Sequence, residues 1–158
     1  MKGKITVLIA DDNREFAKTL TEHLEVEPEM EVIGLAKDGN EACDMIQNVT
    51  PDIVLLDVIM PHLDGLGVLE KIGASKMDKK PLFIMLSAVG QDKITQKCIN
   101  LGAEYYIVKP FDIDLLIQRM KEIKYYQPSG QKLPFINREI RAPYIEISNI
   151  DKKDEGAL

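Results

Sequence analysis

No CxxC pair, no apolar run of membrane-spanning length and no excess of positive charge occur in these 158 residues. Each absence removes a class of function. The only two cysteines, Cys43 and Cys98, have no partner thiol or histidine pair at ligand spacing, so neither a zinc knuckle nor a dithiol redox centre is indicated. Both fall in stretches that read as helix, where a lone thiol behaves as a small apolar side chain. A span of about 18 apolar residues, the minimum for crossing a bilayer, is missing. The start, "MKGKITVLIADD", has a basic end and a short apolar run, but it stops at two acids and no small-residue cleavage site follows. The expected compartment is the cytoplasm. A formal net charge of −6 disfavours non-specific attraction to nucleic acid or to an anionic membrane.

What is present is an alternation of short apolar runs with longer amphipathic ones. The runs are Ile5–Ala10, Glu31–Ala36, Asp52–Asp57, Leu82–Ser87 and Glu104–Lys109. All but the second are nearly all apolar, as strands of a parallel sheet covered on both faces must be. The second alternates, which places it nearer an edge. Between the runs, Arg14–Glu25 sets Phe16, Leu20 and Leu24 on one face, and Asn40–Asn48, Gly65–Ile72, Gln91–Leu101 and Ile113–Ile123 show the same helical spacing. Gly102 follows the fourth helix as a stop signal. This order predicts an α/β fold, a flavodoxin-like (βα)5 doubly wound sheet with five parallel strands in order 2-1-3-4-5. The pattern breaks near Tyr125. Residues 1–124 read as one domain and 125–158 as a linker or extension, in which the alternating stretch Tyr144–Ser148 is a candidate edge strand.

The candidate chemistry lies at strand ends. In an open parallel sheet, ligands bind outside the carboxyl ends of the strands at the point where strand order reverses. Asp11 and Asp12 follow the first strand and Asp57 ends the third, so the predicted topology brings the three acids together. Two carboxylates about 4 Å apart repel by roughly 4 kcal/mol at an effective dielectric near 20, so such a cluster must take up protons or hold a cation. Hard oxygen ligands around a half-open site suit Mg²⁺. Ser87 ends the fourth strand and Lys109 the fifth, which adds a hydroxyl and an ammonium. A carboxylate nucleophile, a divalent metal, a hydroxyl and an ammonium make a phosphoryl-transfer constellation. Each residue also has a plainer reading. An Asp-Asp pair ahead of a helix can be an N-cap, a serine after a strand can cap the next helix, and a lysine before Pro110 can be a solvated turn residue.

Together, "ADDN" (Ala10–Asn13), "LLDVIMPHLDG" (Leu55–Gly65), "LSA" (Leu86–Ala88) and "YIVKPF" (Tyr106–Phe111) resemble the signatures of response-regulator receiver domains across roughly Lys4 to Lys124. The resemblance implies that Asp57 is the phosphoacceptor. Asp11, Asp12, Asp57 and the carbonyl of Ile59 would hold Mg²⁺. Ser87 would be the switch hydroxyl, Tyr106 the switch aromatic and Lys109 the phosphate-binding lysine, with a cis bond to Pro110. Its implied partners are a sensor kinase or a histidine-containing phosphotransfer protein, docking on the first helix around Arg14, Glu15, Lys18 and Glu22. A weak homodimer through the fourth helix, fifth strand and fifth helix is also implied. The longer stretches Ile59–Glu70 and Leu86–Lys97 resemble the sporulation phosphorelay regulators of spore-forming Firmicutes. That implies transcriptional control through an effector domain that this chain does not show, with no nucleic acid contact by the chain itself. A stand-alone receiver acting through protein contacts is the alternative. Two other classes fit less well. A dehalogenase-type phosphatase normally has a second aspartate two residues after its nucleophile, where Ile59 stands here, and an FMN protein of this fold has a Ser/Thr/Gly-rich phosphate loop where this chain has "DDNREF".

Overall fold

The computed structural model describes residues 3–88 and 90–126, with side chains through Ile123. The tail that reads as a linker, including Tyr144–Ser148, lies outside the described residues from 127 onward.

Strands β1 (Ile5–Ala10), β2 (Met30–Ala36), β3 (Ile53–Leu56), β4 (Leu82–Ser87) and β5 (Tyr105–Val108) alternate with helices α1 (Arg14–Leu24), α2 (Gly39–Val49), α3 (Gly65–Gly73), α4 (Asp92–Asn100) and α5 (Ile113–Tyr126). All pairings are parallel and the strand order is β2-β1-β3-β4-β5, as the apolar runs predict. The alternating strand β2 is at an edge. Helix α5 continues two residues past Lys124, the predicted domain limit.

In β1, β3, β4 and β5 the residues divide by parity, while a register shift in β2 puts Met30 and Ala36 on opposite faces. Leu8, Val54, Leu56, Met85 and Tyr106 face α2, α3 and α4, against Ala42, Ile46, Val68, Ile72 and Cys98. Val7, Ile9, Leu55, Ile84 and Tyr105 face α1 and α5, against Leu20, Leu24, Leu116 and Met120. A period of two on a sheet covered on both sides requires apolar residues at every position, which is why these runs are unbroken. Truncating one of the filled positions, such as Leu20 or Ile72, to alanine costs about 2–5 kcal/mol.

Helix starts and stops follow local chemistry. Asn13, Asp38 and Asp64 cap α1, α2 and α3 by accepting from the N–H groups of Phe16, Glu41 and Gly67. The cap of α1 is therefore Asn13, not the Asp-Asp pair before it. Gln91 precedes α4 and makes no side-chain cap bond, so Ser87 is not that helix's cap. Gly102, with φ of +111°, turns the chain out of α4 in a region that favours glycine. No helix among the described residues is long and apolar enough to cross a membrane.

Candidate phosphoryl-transfer site

The carboxyl ends of β1, β3, β4 and β5 deliver the predicted residues to one edge of the sheet. Backbone bonds extend the ladder to place them: Asp57 N–H donates to the Ala10 carbonyl at 2.9 Å, Asp11 N–H to Ala36 at 3.0 Å, and Lys109 N–H to Ser87 at 2.8 Å. Carboxylate oxygens of Asp11, Asp12 and Asp57 all lie within 4.8 Å of one another. Asp11 and Asp57 are buried and Asp12 is exposed, so the cluster is open on one side.

Lys109 joins the acids. Its Nζ donates to Asp11 Oδ2 at 2.7 Å and lies 3.6 Å from Asp57 Oδ2. The ammonium also stands 4.0 Å from the centroid of the Phe16 ring, which is packed edge-on against Phe111 with centroids 6.1 Å apart. An aromatic face beneath a cation contributes on the order of 0.5–2 kcal/mol and restricts where the ammonium can go. Lys109 is therefore a held cation rather than a solvated turn residue. Its bond to Pro110 is cis, as the resemblance implies.

Asp11 Oδ1 accepts from the Asn13 N–H at 2.8 Å, which leaves its other oxygen to Lys109. Asp57 Oδ1 takes the Ile59 N–H at 3.3 Å. Burial pushes the Asp57 carboxyl above its usual range. Lys109 pulls it back, the Asp11 charge raises it again, and the Ile59 N–H and the Ser87 hydroxyl lower it. Ser87 is fully buried, and its hydroxyl neighbours both the Asp57 carboxylate and the Tyr106 phenol. Tyr106 is also fully buried, so its ring points inward in this structure. Ile59 is 58% exposed beside Asp57, with only its backbone engaged at the site.

All seven residues named from the sequence thus gather at this edge. Three further contributors carried no separable signal. Phe16 reads as a core residue, yet it underlies Lys109. Gly65 lets α3 approach the backbone of Asp57, since a Cβ there would lie 2.4 Å from the Asp57 carbonyl oxygen and 2.9 Å from Val58 Cα. Thr95 on α4 faces Tyr106. Lys121 Nζ reaches Glu27 at 2.8 Å and Glu29 at 3.0 Å, joining α5 to the α1–β2 loop.

The donor set suits a small divalent cation: three carboxylates, one side open to solvent, and a fixed ammonium that covers only part of their charge.

The model of the response regulator receiver domain family matches residues 7–121. A solved structure from Borrelia burgdorferi, a CheX-CheY-BeF3-Mg complex, is similar at 36% identity over 75% of this chain and 88% of that one, with a TM-score of 0.69. The receiver domain of a Francisella response regulator shares 30% identity over 75% of this chain and 94% of its own, with a TM-score of 0.68. A CheY-like receiver domain protein of Methanospirillum hungatei shares 28% identity over 82% and 100%, with a TM-score of 0.73. The fold, the edge on which the acids meet and the extent of the family match lead to one conclusion: this chain belongs to the response regulator receiver domain family.

Proposed function

We propose that the chain is switched by phosphorylation of Asp57, with Asp11, Asp12, Asp57 and the Ile59 carbonyl holding Mg²⁺. The observation that carries this reading is the convergence of three carboxylates within 4.8 Å with an ammonium that reaches two of them. A carboxylate oxygen of Asp57 forms a bond to phosphorus as the donor's P–N or P–O bond breaks, and the electron pair leaves with an imidazole or a carboxylate. Lys109 offsets charge on the transferred group and Ser87 donates to it. When bound, Mg²⁺ supplies charge neutralisation for the clustered carboxylates and the phosphoryl oxygens. Beryllofluoride and Mg²⁺ in the Borrelia relative's complex support the same chemistry here.

The donor is a phosphohistidine on a sensor kinase or a histidine-containing phosphotransfer protein, docked over the exposed Arg14, Glu15, Lys18 and Glu22 of α1. Apart from its own phosphorylation and dephosphorylation, the chain acts by association rather than as an enzyme, in the cytoplasm, with residues 125–158 as an extension of the receiver domain. Its output face is α4–β5–α5, where the exposed Asp92, Lys93, Lys97 and Asp114 offer ion pairs to a second copy. Each exposed pair adds only about 0–1 kcal/mol, so this dimer is weak and salt-sensitive. Control of transcription at sporulation onset, through an effector domain, rests on the motif resemblance of Ile59–Glu70 and Leu86–Lys97 alone. The test is transfer of labelled phosphoryl from a phosphorylated histidine phosphotransfer protein. Label should appear on this chain with Mg²⁺ and not with EDTA; no label under either condition refutes the reading.

A further inference from the structure

We propose that the open edge of β2 and the groove beside it are a docking surface for the chain's own tail, with Tyr144–Ser148 adding a sixth strand next to β2 and covering Leu35.

The bonds to β1 decide which groups of β2 face outward. The Ala36 carbonyl accepts from the Asp11 N–H at 3.0 Å, so Ala36 is turned toward β1. Successive residues of a strand turn their N–H and C=O groups to opposite sides. Leu35 therefore turns its own away from β1, and among the described residues no strand lies on that side. The rest of the edge is less open. The Met30 N–H donates to the Glu27 carbonyl at 3.1 Å, the Lys37 N–H donates to Glu41 Oε1 at 2.9 Å, and a register shift leaves Ile33 without a partner on β1. What remains is a short row centred on Leu35. The other edge strand, β5, has four residues, all buried.

The Leu35 side chain points to the same place. It pairs in register with Ile9, so it lies on the α1 side of the sheet, yet it is 44% exposed. It lines a groove of about 460 Å³ together with Ala17, Ala36, Arg14 and Lys18. An apolar side chain on an added strand would continue the layer of Ile9 and Leu35.

The fold delivers the tail to this edge. Lys121 of α5 is paired with Glu27 and Glu29, immediately before β2. Helix α5 ends at Tyr126, about 7.5 Å further along its axis. The 17 residues from 127 to 143 span up to about 55 Å when extended, ample to reach any point along β2. Tyr144–Ser148 then places Ile145 and Ile147 on one face and Tyr144, Glu146 and Ser148 on the other. That is the pattern of an edge strand with one face on an apolar layer and one in water. A segment tethered this near meets the edge at an effective concentration on the order of millimolar, which a free second copy does not match.

The test is hydrogen exchange of the full chain, read at single amides by NMR. In Ile145→Pro/Glu146→Pro, adjacent residues turn to opposite sides, so one of the two prolines meets β2 whichever way the added strand faces. The Leu35 amide should exchange ~2- to 10-fold faster in this variant than in the wild type, the value of one net hydrogen bond. Ile145→Ser/Ile147→Ser, which removes the apolar face, should have the same effect. The Val54 amide on β3, in the middle of the sheet, should exchange at one rate in all three proteins. Equal exchange at Leu35 overturns the proposal. An equal acceleration at Val54 also overturns it, because the whole fold has then loosened. Wild-type protection of Leu35 that falls on dilution overturns it too, because a second copy is then the occupant.

Discussion

The ammonium of Lys109 is bonded to Asp11, at 2.7 Å, and not to Asp57, from which it stands 3.6 Å away. The lysine that would bind a phosphoryl group on Asp57 is thus held on the neighbouring acid, with Phe16 beneath it. Its position keeps the Asp57 oxygen Oδ2 within reach of positive charge without capturing it.

Removing that ammonium tests the balance. In Lys109→Met, Asp11 and Asp57 lose their shared cation. Breaking a fully buried pair costs about 3–5 kcal/mol. Because Lys109 keeps 20% of its side-chain exposure, a loss of about 1–3 kcal/mol in EDTA at neutral pH is expected. The Asp57 carboxyl is already raised by burial, and Lys109 is the main influence lowering it. A raised carboxyl favours the folded state below its ordinary range, and that contribution is lost as pH rises through the folded value. The deficit should therefore shrink on acidification toward the carboxylate range. Urea unfolding in EDTA at several pH values measures it; a deficit that grows with acid contradicts the account.

Asp12 and Asn13 should separate metal chemistry from helix capping. Asp12 is exposed and caps nothing, whereas Asn13 caps α1. Asp12→Ala should lose Mg²⁺ affinity while keeping or gaining stability in EDTA, because it relieves like-charge repulsion. Asn13→Ala should lose about 1 kcal/mol of stability. Thermal unfolding with and without Mg²⁺ distinguishes them, and a large loss for Asp12→Ala in EDTA would restore the capping reading.

Gly65→Ala should damage the site without touching any of its polar groups. The added Cβ meets backbone, 2.4 Å from the Asp57 carbonyl oxygen, so the β3–α3 connection must shift. Overpacking of this kind costs about 1–3 kcal/mol. Melting temperature and the rate of labelling by a small acyl phosphate should both fall; an unchanged labelling rate would show that the approach of α3 does not position Asp57.

Much of this was legible in the sequence because it depends on period and place. Unbroken apolar runs announced strands covered on both faces, and acids, a serine and a lysine at their ends announced a shared edge. Less visible was anything set by tertiary approach. The choice of Lys109 for Asp11 depends on which carboxylate oxygen Asn13 leaves unoccupied. Phe16 has the spacing of a core residue and became the floor under a cation. Gly65 and Thr95 matter through contacts across the fold, which no local pattern carries. Lys121 likewise pairs with Glu27 and Glu29 across the fold.

Tyr106 should report its burial in alkali. Desolvation, the largest cause, pushes its phenol up to about 12 from an ordinary value of 10.0. A raised phenol contributes stability that is fully present below pH 10.0 and lost as pH rises through about 12. Across that window the wild type should lose roughly 2–3 kcal/mol relative to Tyr106→Phe. Unfolding of both proteins along an alkaline series measures the difference; parallel curves would place the phenol in water.

The central claim is that Asp57 is the nucleophile. Intact-mass measurement after incubation with Mg²⁺ and a small acyl phosphate tests it most directly, on the wild type and on Asp57→Asn. The account predicts that the wild type gains one phosphoryl group, that EDTA abolishes the gain, and that Asp57→Asn stays at its unmodified mass while remaining folded. Labelling of Asp57→Asn at the wild-type level would contradict it.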